Sequence, residues 1–372
     1  MTPTVELGTD ALTLNWGDGI TRDYPYIWLR DNCPTGFHPK TFERVGDLME
    51  IPVAPRATHA AVDRGEAVID WQDDGHVSRF ALDWLRDSAP GTGSADPAQV
   101  PARIWRGTPP DGDLPRHDAQ AILSDDGALQ TFMLDVAAQG LALAVNVGTD
   151  PKNSVALARR IGFLRKTNFG TTFEVINRPD PNNLAYTAER LPLHTDLPNQ
   201  EVPPGFQFLH CIANEATGGG SLFADGFAIA EDMRAESPEF FALLSQVAIP
   251  FRFHDGETDL RVHRPVITLD HAGTVIEIRF NAHIAGVFDM PAEQMRNYYN
   301  AYRAYMTRTR DAGYILNTRL QSGEMVVFDN RRILHGRDAF DPSTGFRHLH
   351  GCYVDRGEFQ ARLRLLARSV TA

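Results

Sequence analysis

Leu191-Pro-Leu-His-Thr-Asp-Leu-Pro198 is the stretch that decides the fold. Read as an extended strand, it projects His194 and Asp196, at i and i+2, from one face, because strand side chains alternate. Both can then reach a single metal ion. A third ligand is offered far downstream by His335, in Val326-Val-Phe-Asp-Asn-Arg-Arg-Ile-Leu-His-Gly336. Two histidines and one carboxylate on one face of a metal leave coordination positions open, which is the facial arrangement of non-haem Fe(II) oxygenases. Arg347 follows in Gly345-Phe-Arg-His-Leu-His350, and its planar guanidinium suits a carboxylate. Iron with a carboxylate-bearing cosubstrate points to 2-oxoglutarate. A single His-X-Asp is weak evidence, but its combination with His335 and Arg347 is specific.

Working outward, Gly205-Phe-Gln-Phe-Leu-His-Cys-Ile212, Gly218-Gly-Gly-Ser-Leu-Phe-Ala224, Met325-Val-Val-Phe-Asp329 and the segment 348–354 read as strands. Leu141-Ala-Leu-Ala-Val-Asn-Val147 reads as a buried strand. Helical spacing covers 118–140, with Gly140 as C-cap, and 153–161, with Asn153 or Ser154 as N-cap. It also covers 227–247 and 292–310, and a hairpin with loop 270–273 lies within 262–280. Strands of unequal length, with ligands on two that are distant in sequence, predict a mainly β fold with flanking helices. Its core is a double-stranded β-helix, or jelly roll, with the metal at one open end. The helices at 118–140 and 292–310 are expected on its outside.

The first part of the chain differs. Ala11-Leu-Thr-Leu-Asn-Trp16 and Ala67-Val-Ile-Asp-Trp71 alternate, with turns at Gly17-Asp-Gly19 and Asp73-Asp-Gly75. The expected organisation is a small β-rich N-terminal domain over 1–87, a Pro/Gly-rich linker over 88–117 and a catalytic domain over 118–372. Ile104-Trp105 is expected to pack the linker onto one domain. Cys33, His38 and His76 are candidate zinc ligands. Without a clear fourth, they equally describe one buried cysteine and two surface histidines.

The 372 residues carry a net charge of −12 with no Lys/Arg run, which argues against nucleic acid or an anionic membrane as partner. Three scattered cysteines make no disulfide framework and fit a reducing, cytoplasmic setting. No leader pattern is visible at the N-terminus, and no apolar run reaches the ~20 residues of a membrane span.

Several motifs together resemble the γ-butyrobetaine dioxygenase and trimethyllysine dioxygenase family, nearly end to end. They are Trp28-Leu-Arg-Asp-Asn-Cys33, Asn182-Asn-Leu-Ala-Tyr186, His194-Thr-Asp196, Pro203-Pro-Gly205 with Leu209-His-Cys-Ile212, Phe280-Asn281, Phe328-Asp-Asn-Arg-Arg-Ile-Leu-His-Gly-Arg337, and Arg347-His-Leu with Tyr353. The resemblance implies an Fe(II)- and 2-oxoglutarate-dependent hydroxylase with a jelly-roll core, usually a homodimer. It implies iron on His194, Asp196 and His335, and 2-oxoglutarate held by Arg347 beside Leu209 and Ser221. Asn183 and Asn281 match positions that bind the substrate carboxylate. Tyr186 and Tyr353 match rings of a trimethylammonium cage, and Phe169 and Phe173 stand where that cage has Tyr and Trp. The plainer account of Phe169 and Phe173 is that they are core residues. The family's zinc site matches at Cys33 and His76, with His38 at a third position and Thr35 replacing a cysteine.

The implied substrate is a short trimethylammonium zwitterion, in first place γ-butyrobetaine, hydroxylated to L-carnitine. A second candidate is 2-(trimethylamino)ethylphosphonate, hydroxylated at C1, for which Arg279 and Arg30 would supply extra positive charge. Trimethyllysine ranks third and a taurine-type sulfonate further off. From a different class comes a non-catalytic jelly roll that binds a quaternary amine, which the triad together with Arg347 disfavours.

Overall fold

The computed structural model describes residues 3–72, 74–91, 93, 96–180 and 184–371, with side chains through Arg368. Asp73, in the turn expected at 73–75, and Asn183 lie outside the described residues. The chain divides into two units, Met1–Asp96 and Pro97–Ala372.

The first unit carries two three-stranded antiparallel sheets. One runs through Thr4–Leu7, Ala11–Asn15 and Thr21–Pro25, the other through Ala57–Asp63, Glu66–Trp71 and Val77–Ala81. Period-two burial puts Leu12, Leu14, Ala67, Ile69 and Trp71 into one core with Tyr24, Tyr26 and Phe80.

In the second unit two sheets form the jelly roll. The larger has the order Arg116–Asp118, Leu141–Val145, Met325–Asp329, Phe206–Asn214, Arg347–Val354 and Thr172–Ile176. The smaller runs Leu191–His194, Ile333–Arg337, Ser221–Asp225 and Leu316–Thr318. Between them lie Leu209, Cys211, Phe223, Val326, Phe328, Ile333 and Leu349. Alternation along 206–211 sends Phe206 and Phe208 to the other face of the large sheet. There they pack against Leu129, Phe132 and Val136 of Asp126–Gln139 and Leu363 of Arg356–Thr371. Ala292–Arg308 instead packs on the small sheet, with Tyr298, Tyr302 and Tyr305 against Leu222, Ala224 and Leu334. The two helices expected outside the roll therefore cover opposite sheets.

Local chemistry moves several boundaries. The helix expected at 118–140 is two, Ala119–Ser124 and Asp126–Gln139, because Asp125 accepts from the Ala128 amide and caps a fresh start. Gly140, at φ +85, ends the second in the left-handed region. The helix expected from 153 begins at Pro151 with Asp150 as its cap; Asn153 and Ser154 bond elsewhere. The run 227–247 breaks at Ser237-Pro238, where proline starts a new helix, Pro238–Gln246. Ile267–Leu269 and Val275–Ile278 form the expected hairpin, while Asp259–Arg264 pairs back onto Ile249–His254. The unit boundary falls inside the 88–117 segment, and Trp105 is buried in the second unit, its Nε1 donating to the Gln139 carbonyl at 2.8 Å. Among the described residues no helix is long and apolar enough to cross a membrane.

One buried polar junction ties these pieces. Asp225 is 0 % exposed and Arg332 2 %. They pair at 2.8 Å, while Asp225 also accepts from the amides of Trp105 and Phe227. Arg332 further donates to the carbonyls of Ala138 and Arg103. Asp225→Ala is expected to lower stability by about 3–5 kcal/mol, because it strands a buried cation. The double change with Arg332→Met should recover a large part. Denaturant unfolding of the three proteins checks this, and equal losses in the single and double variants would show that the stranded charge is not the cause.

Candidate metal centre and cavity

The strand Leu191–His194 pairs antiparallel with Ile333–Arg337, and the register sets His194 directly opposite His335. Their rings lie 4.4 Å apart between centroids. Gly336 permits this approach, since a Cβ there would stand 2.5 Å from the Leu191 carbonyl oxygen. The strand ends at His194, so Asp196 is not on the extended segment expected from the sequence. Instead the chain bends, and Leu197 takes φ +54, a conformation that side-chain-bearing residues rarely adopt. The bend brings Asp196 Oδ1 to 3.2 Å from His194 Nε2 and 3.6 Å from His335 Nε2.

Buried hydrogen bonds fix that bend. Asn330, 0 % exposed, accepts from the Asp196 amide at 2.7 Å and donates to the Asp196 carbonyl at 3.0 Å. The Thr195 amide donates to the Phe280 carbonyl at 2.7 Å. Arg279 donates to the carbonyls of Pro198, Gln200 and Glu201 while paired with Glu277.

The three side chains suit a metal. Among the described residues they are the one group of three or more His, Cys, Asp or Glu that could share an ion, with ligand atoms all within 4.8 Å of one another. His194 Nδ1 lies 2.9 Å from the Pro192 carbonyl and so carries its proton there, leaving Nε2 bare. Burial lowers the His335 imidazole to about 3, so it is neutral. Burial alone would raise the Asp196 carboxyl, yet it is held below the ordinary range and is ionised, with the Tyr353 hydroxyl donating to it. Electron-pair donors that converge in a dry site call for a cation between them. Tyr353 donates to Asp196 Oδ2 at 2.7 Å, leaving Oδ1 toward the histidines.

A cavity of about 570 Å³ opens beside the triad. At one part of its wall stand Arg347, Leu209 and Ser221. Arg347 is 5 % exposed, and burial lowers its guanidinium only to about 10, so it stays charged at neutral pH. Among the described residues it has no carboxylate partner. Its Nε donates to the Gly219 carbonyl at 3.3 Å and its guanidinium lies 5.7 Å from the Phe340 ring centroid. A buried cation without a counter-charge is costly, which marks this wall as a place for an anion. Gly219, at φ +70, is required here, because a Cβ would meet the Arg347 side chain at 3.0 Å.

The aromatic candidates Phe169, Phe173, Tyr186 and Tyr353 all line the same cavity, as does Asn281. Phe173 and Tyr353 stack at 5.1 Å across Gly351, where a Cβ would stand 2.3 Å from the Phe173 ring. Asn281 accepts from the His283 amide at 3.0 Å. Sequence reasoning missed Phe253, Asn199, Gln207 and His283, which also line the cavity. Their loops and ribbon converge only through the fold; no local pattern marks them.

Three sequence-based candidates fall elsewhere. Arg279 is the clamp on the 198–201 loop, not a cavity residue. Arg30 pairs with Asp74 and lies over the Trp71 ring. The set Cys33, His38 and His76 is not assembled. Cys33 Sγ lies 3.2 Å from His76 Nε2 and 3.1 Å from Thr35 Oγ1, whereas His38 Nδ1 accepts from the amides of Lys40 and Thr41. The hydroxyl of Thr35 thus takes up the place beside the pair that a third metal ligand would need.

A jelly roll with a two-histidine, one-carboxylate face and a buried, unpaired arginine beside it defines an Fe(II)- and 2-oxoglutarate-dependent oxygenase. Residues 111–353 match the taurine catabolism dioxygenase TauD, TfdA family, and residues 4–86 match the gamma-butyrobetaine hydroxylase-like N-terminal family. A gamma-butyrobetaine dioxygenase from Pseudomonas sp. (strain AK-1) is 42 % identical, covering 96 % of this chain and 94 % of that protein. The Homo sapiens gamma-butyrobetaine dioxygenase is 30 % identical over 98 % of this chain and 96 % of that protein. The non-haem iron oxygenase OrfP, solved with Fe and alpha-ketoglutaric acid, has the same fold at 13 % identity and a TM-score of 0.50, covering 66 % of this chain and 94 % of that one. The chain belongs to the γ-butyrobetaine dioxygenase family within the TauD/TfdA dioxygenases.

Tyr353→Phe keeps the ring and removes only the bond to Asp196. Fe(II) affinity is expected to fall about tenfold or more, as for other partners of metal ligands. An Fe(II) titration under nitrogen measures it; unchanged affinity would remove the hydroxyl from the support of the centre.

Proposed function

We propose that this enzyme hydroxylates γ-butyrobetaine to L-carnitine, with His194, Asp196 and His335 as iron ligands. The observation that carries this reading is one cavity that joins the triad, a buried arginine without an acid, and a cluster of aromatic rings. Bound iron and 2-oxoglutarate supply the oxidant: O2 is split, 2-oxoglutarate becomes succinate and CO2, and one substrate C–H becomes C–OH.

Each residue's part follows from its chemistry. Arg347 pairs with the far carboxylate of 2-oxoglutarate, with Leu209 and Ser221 at its flanks. Phe169, Phe173, Tyr186 and Tyr353 hold the trimethylammonium group by their ring faces. Asn281 donates its amide to the substrate carboxylate, and Asn183 shares that role. Held at both ends, the substrate keeps one C–H bond near the metal, and that positioning is the protein's contribution to rate.

A carboxylate is favoured over a phosphonate because both arginines considered for the extra charge are committed elsewhere. Arg279 is tied to Glu277 and three carbonyls, Arg30 to Asp74. The 42 % identity to a relative named for γ-butyrobetaine supports the same choice. A homodimer, implied by the family resemblance, and a cytoplasmic setting, expected from the three scattered cysteines, belong with this reading.

Succinate formation with Fe(II), ascorbate and 2-oxoglutarate tests it. The expected order is γ-butyrobetaine well ahead of 2-(trimethylamino)ethylphosphonate and trimethyllysine at equal concentration; a faster reaction with the phosphonate would overturn the assignment. In the same assay Arg347→Ala is expected to raise the KM for 2-oxoglutarate by about tenfold or more, the loss of a charged hydrogen-bonded pair. The KM for the amine should change little. An unaltered 2-oxoglutarate requirement would move the anchor to another residue.

A further inference from the structure

The cage inferred from the sequence has four rings, and the structure limits what they can offer a cation. Among the described cavity-lining residues the one acid is Asp196, already engaged by the two histidines and Tyr353. A quaternary ammonium has no N–H to donate, so ring faces must supply its attraction. Phe173 and Tyr353 stack at 29°, so each turns one face to the other. Tyr186 already carries the Arg178 guanidinium 4.0 Å from its ring centroid. Arg178 is not among the residues that line the cavity, so its charge reaches the ring from outside that lining. A second cation on the inner face would feel that first charge through the ring.

Phe253 stands where further ring surface is needed. It lies in Ile249–His254, the first strand of an antiparallel ribbon that returns through Asp259–Arg264. Phe251, two residues earlier and on the same face, is 0 % exposed in the core of the small-sheet side. That anchor leaves Phe253 at the strand's end, inside the cavity wall. Its ring meets Phe169 at 5.5 Å and 62°, edge to face. Arg252, the neighbouring cavity residue, is held bidentately by Asp259 at 2.8 and 3.0 Å, which offsets a charge that would otherwise repel a cation.

We propose that Phe253 is a fifth wall of the quaternary-ammonium cage and a determinant of its preference for charge over shape. This rests on the γ-butyrobetaine reading. It adds a ring from an element that contributes none of the other four. The cage thereby closes only when the 249–264 ribbon is in place.

The test is calorimetric binding to the enzyme loaded with Fe(II) and 2-oxoglutarate under nitrogen. Three probes are compared: γ-butyrobetaine, its isostere 5,5-dimethylhexanoate, in which an uncharged quaternary carbon replaces the ammonium nitrogen, and tetramethylammonium. Phe253→Leu keeps apolar bulk without a ring face. It should weaken γ-butyrobetaine and tetramethylammonium about 3- to 30-fold, the range of one or two lost cation–ring contacts, and change the isostere by less than about twofold. Phe253→Trp should restore the ammonium probes. Equal weakening of the ammonium probes and the carbon isostere would make Phe253 a packing residue only, and no weakening at all would remove it from the site. Tetramethylammonium separates the two levels. If the parent enzyme binds it but not γ-butyrobetaine, and Phe253→Leu loses it, the carboxylate substrate is wrong while the fifth wall stands. If the parent enzyme prefers neither cation over the isostere, the cage and Phe253's part in it both fall.

Discussion

The antiparallel pairing of Leu191–His194 with Ile333–Arg337 is the constraint on which the site depends. It sets two histidines, distant in sequence, directly across from each other. A one-residue slip would turn one of them to the opposite face. The third donor arrives by a bend, with Leu197 at φ +54, which costs about 1–2 kcal/mol for a residue with a side chain. Such a turn persists only when its surroundings over-determine it. Here Asn330 grips both backbone groups of Asp196, and Arg279 holds the chain just beyond through the carbonyls of Pro198, Gln200 and Glu201. The small sheet supplies the histidines, and buried polar groups supply the carboxylate.

Buried arginines show how the molecule separates structure from chemistry. Arg332, Arg279, Arg337 and Arg347 are all 5 % exposed or less. Arg332 has Asp225 and two carbonyls; Arg279 has Glu277 and three carbonyls. Arg337 donates to the carbonyls of Ala185, Thr187 and Glu189, which fixes the turn that carries Tyr186. In each case the charge is met by acceptors that define a local shape. Arg347 alone of these four has a single carbonyl contact and an open wall in front of it. Burial without compensation is the physical mark of a group that waits for a ligand.

Much of this was legible before any coordinates. Period-two spacing in 206–211 separates Phe206 and Phe208 from Leu209, and the structure sends them to opposite faces. The metal ligands were legible because coordination demands specific residue types, and Arg347 because its position beside them has one sensible partner. What escaped is non-local or depends on competition for hydrogen bonds. Asp125 and Asp150 outbid the helix interior for free amides and moved helix starts that hydrophobic spacing could not locate. Arg279, two residues before Asn281, reads as a cavity residue, but its guanidinium is taken up by Glu277 and the carbonyls of Pro198, Gln200 and Glu201, so its charge serves the 198–201 loop. His38 lost any metal role to a local turn whose amides it accepts. Nothing in the local sequence singles out Phe253 from other apolar residues, and only the fold brings it to the cavity.

The cavity's layout also argues for the kind of molecule it takes. Arg347 and the aromatic rings share the cavity with the triad, and among the described lining residues Asp196 is the one acid. A primary ammonium would leave N–H donors unsatisfied against such rings, at a cost of about 1–3 kcal/mol for each buried unpaired group. A quaternary ammonium has no such donors and loses little on leaving water for ring faces. A neutral alkyl group would fit the rings but gain nothing from their quadrupoles. Ring faces therefore favour the trimethylammonium group over both its neighbours, the amine that needs acceptors and the hydrocarbon that gains nothing from the quadrupole.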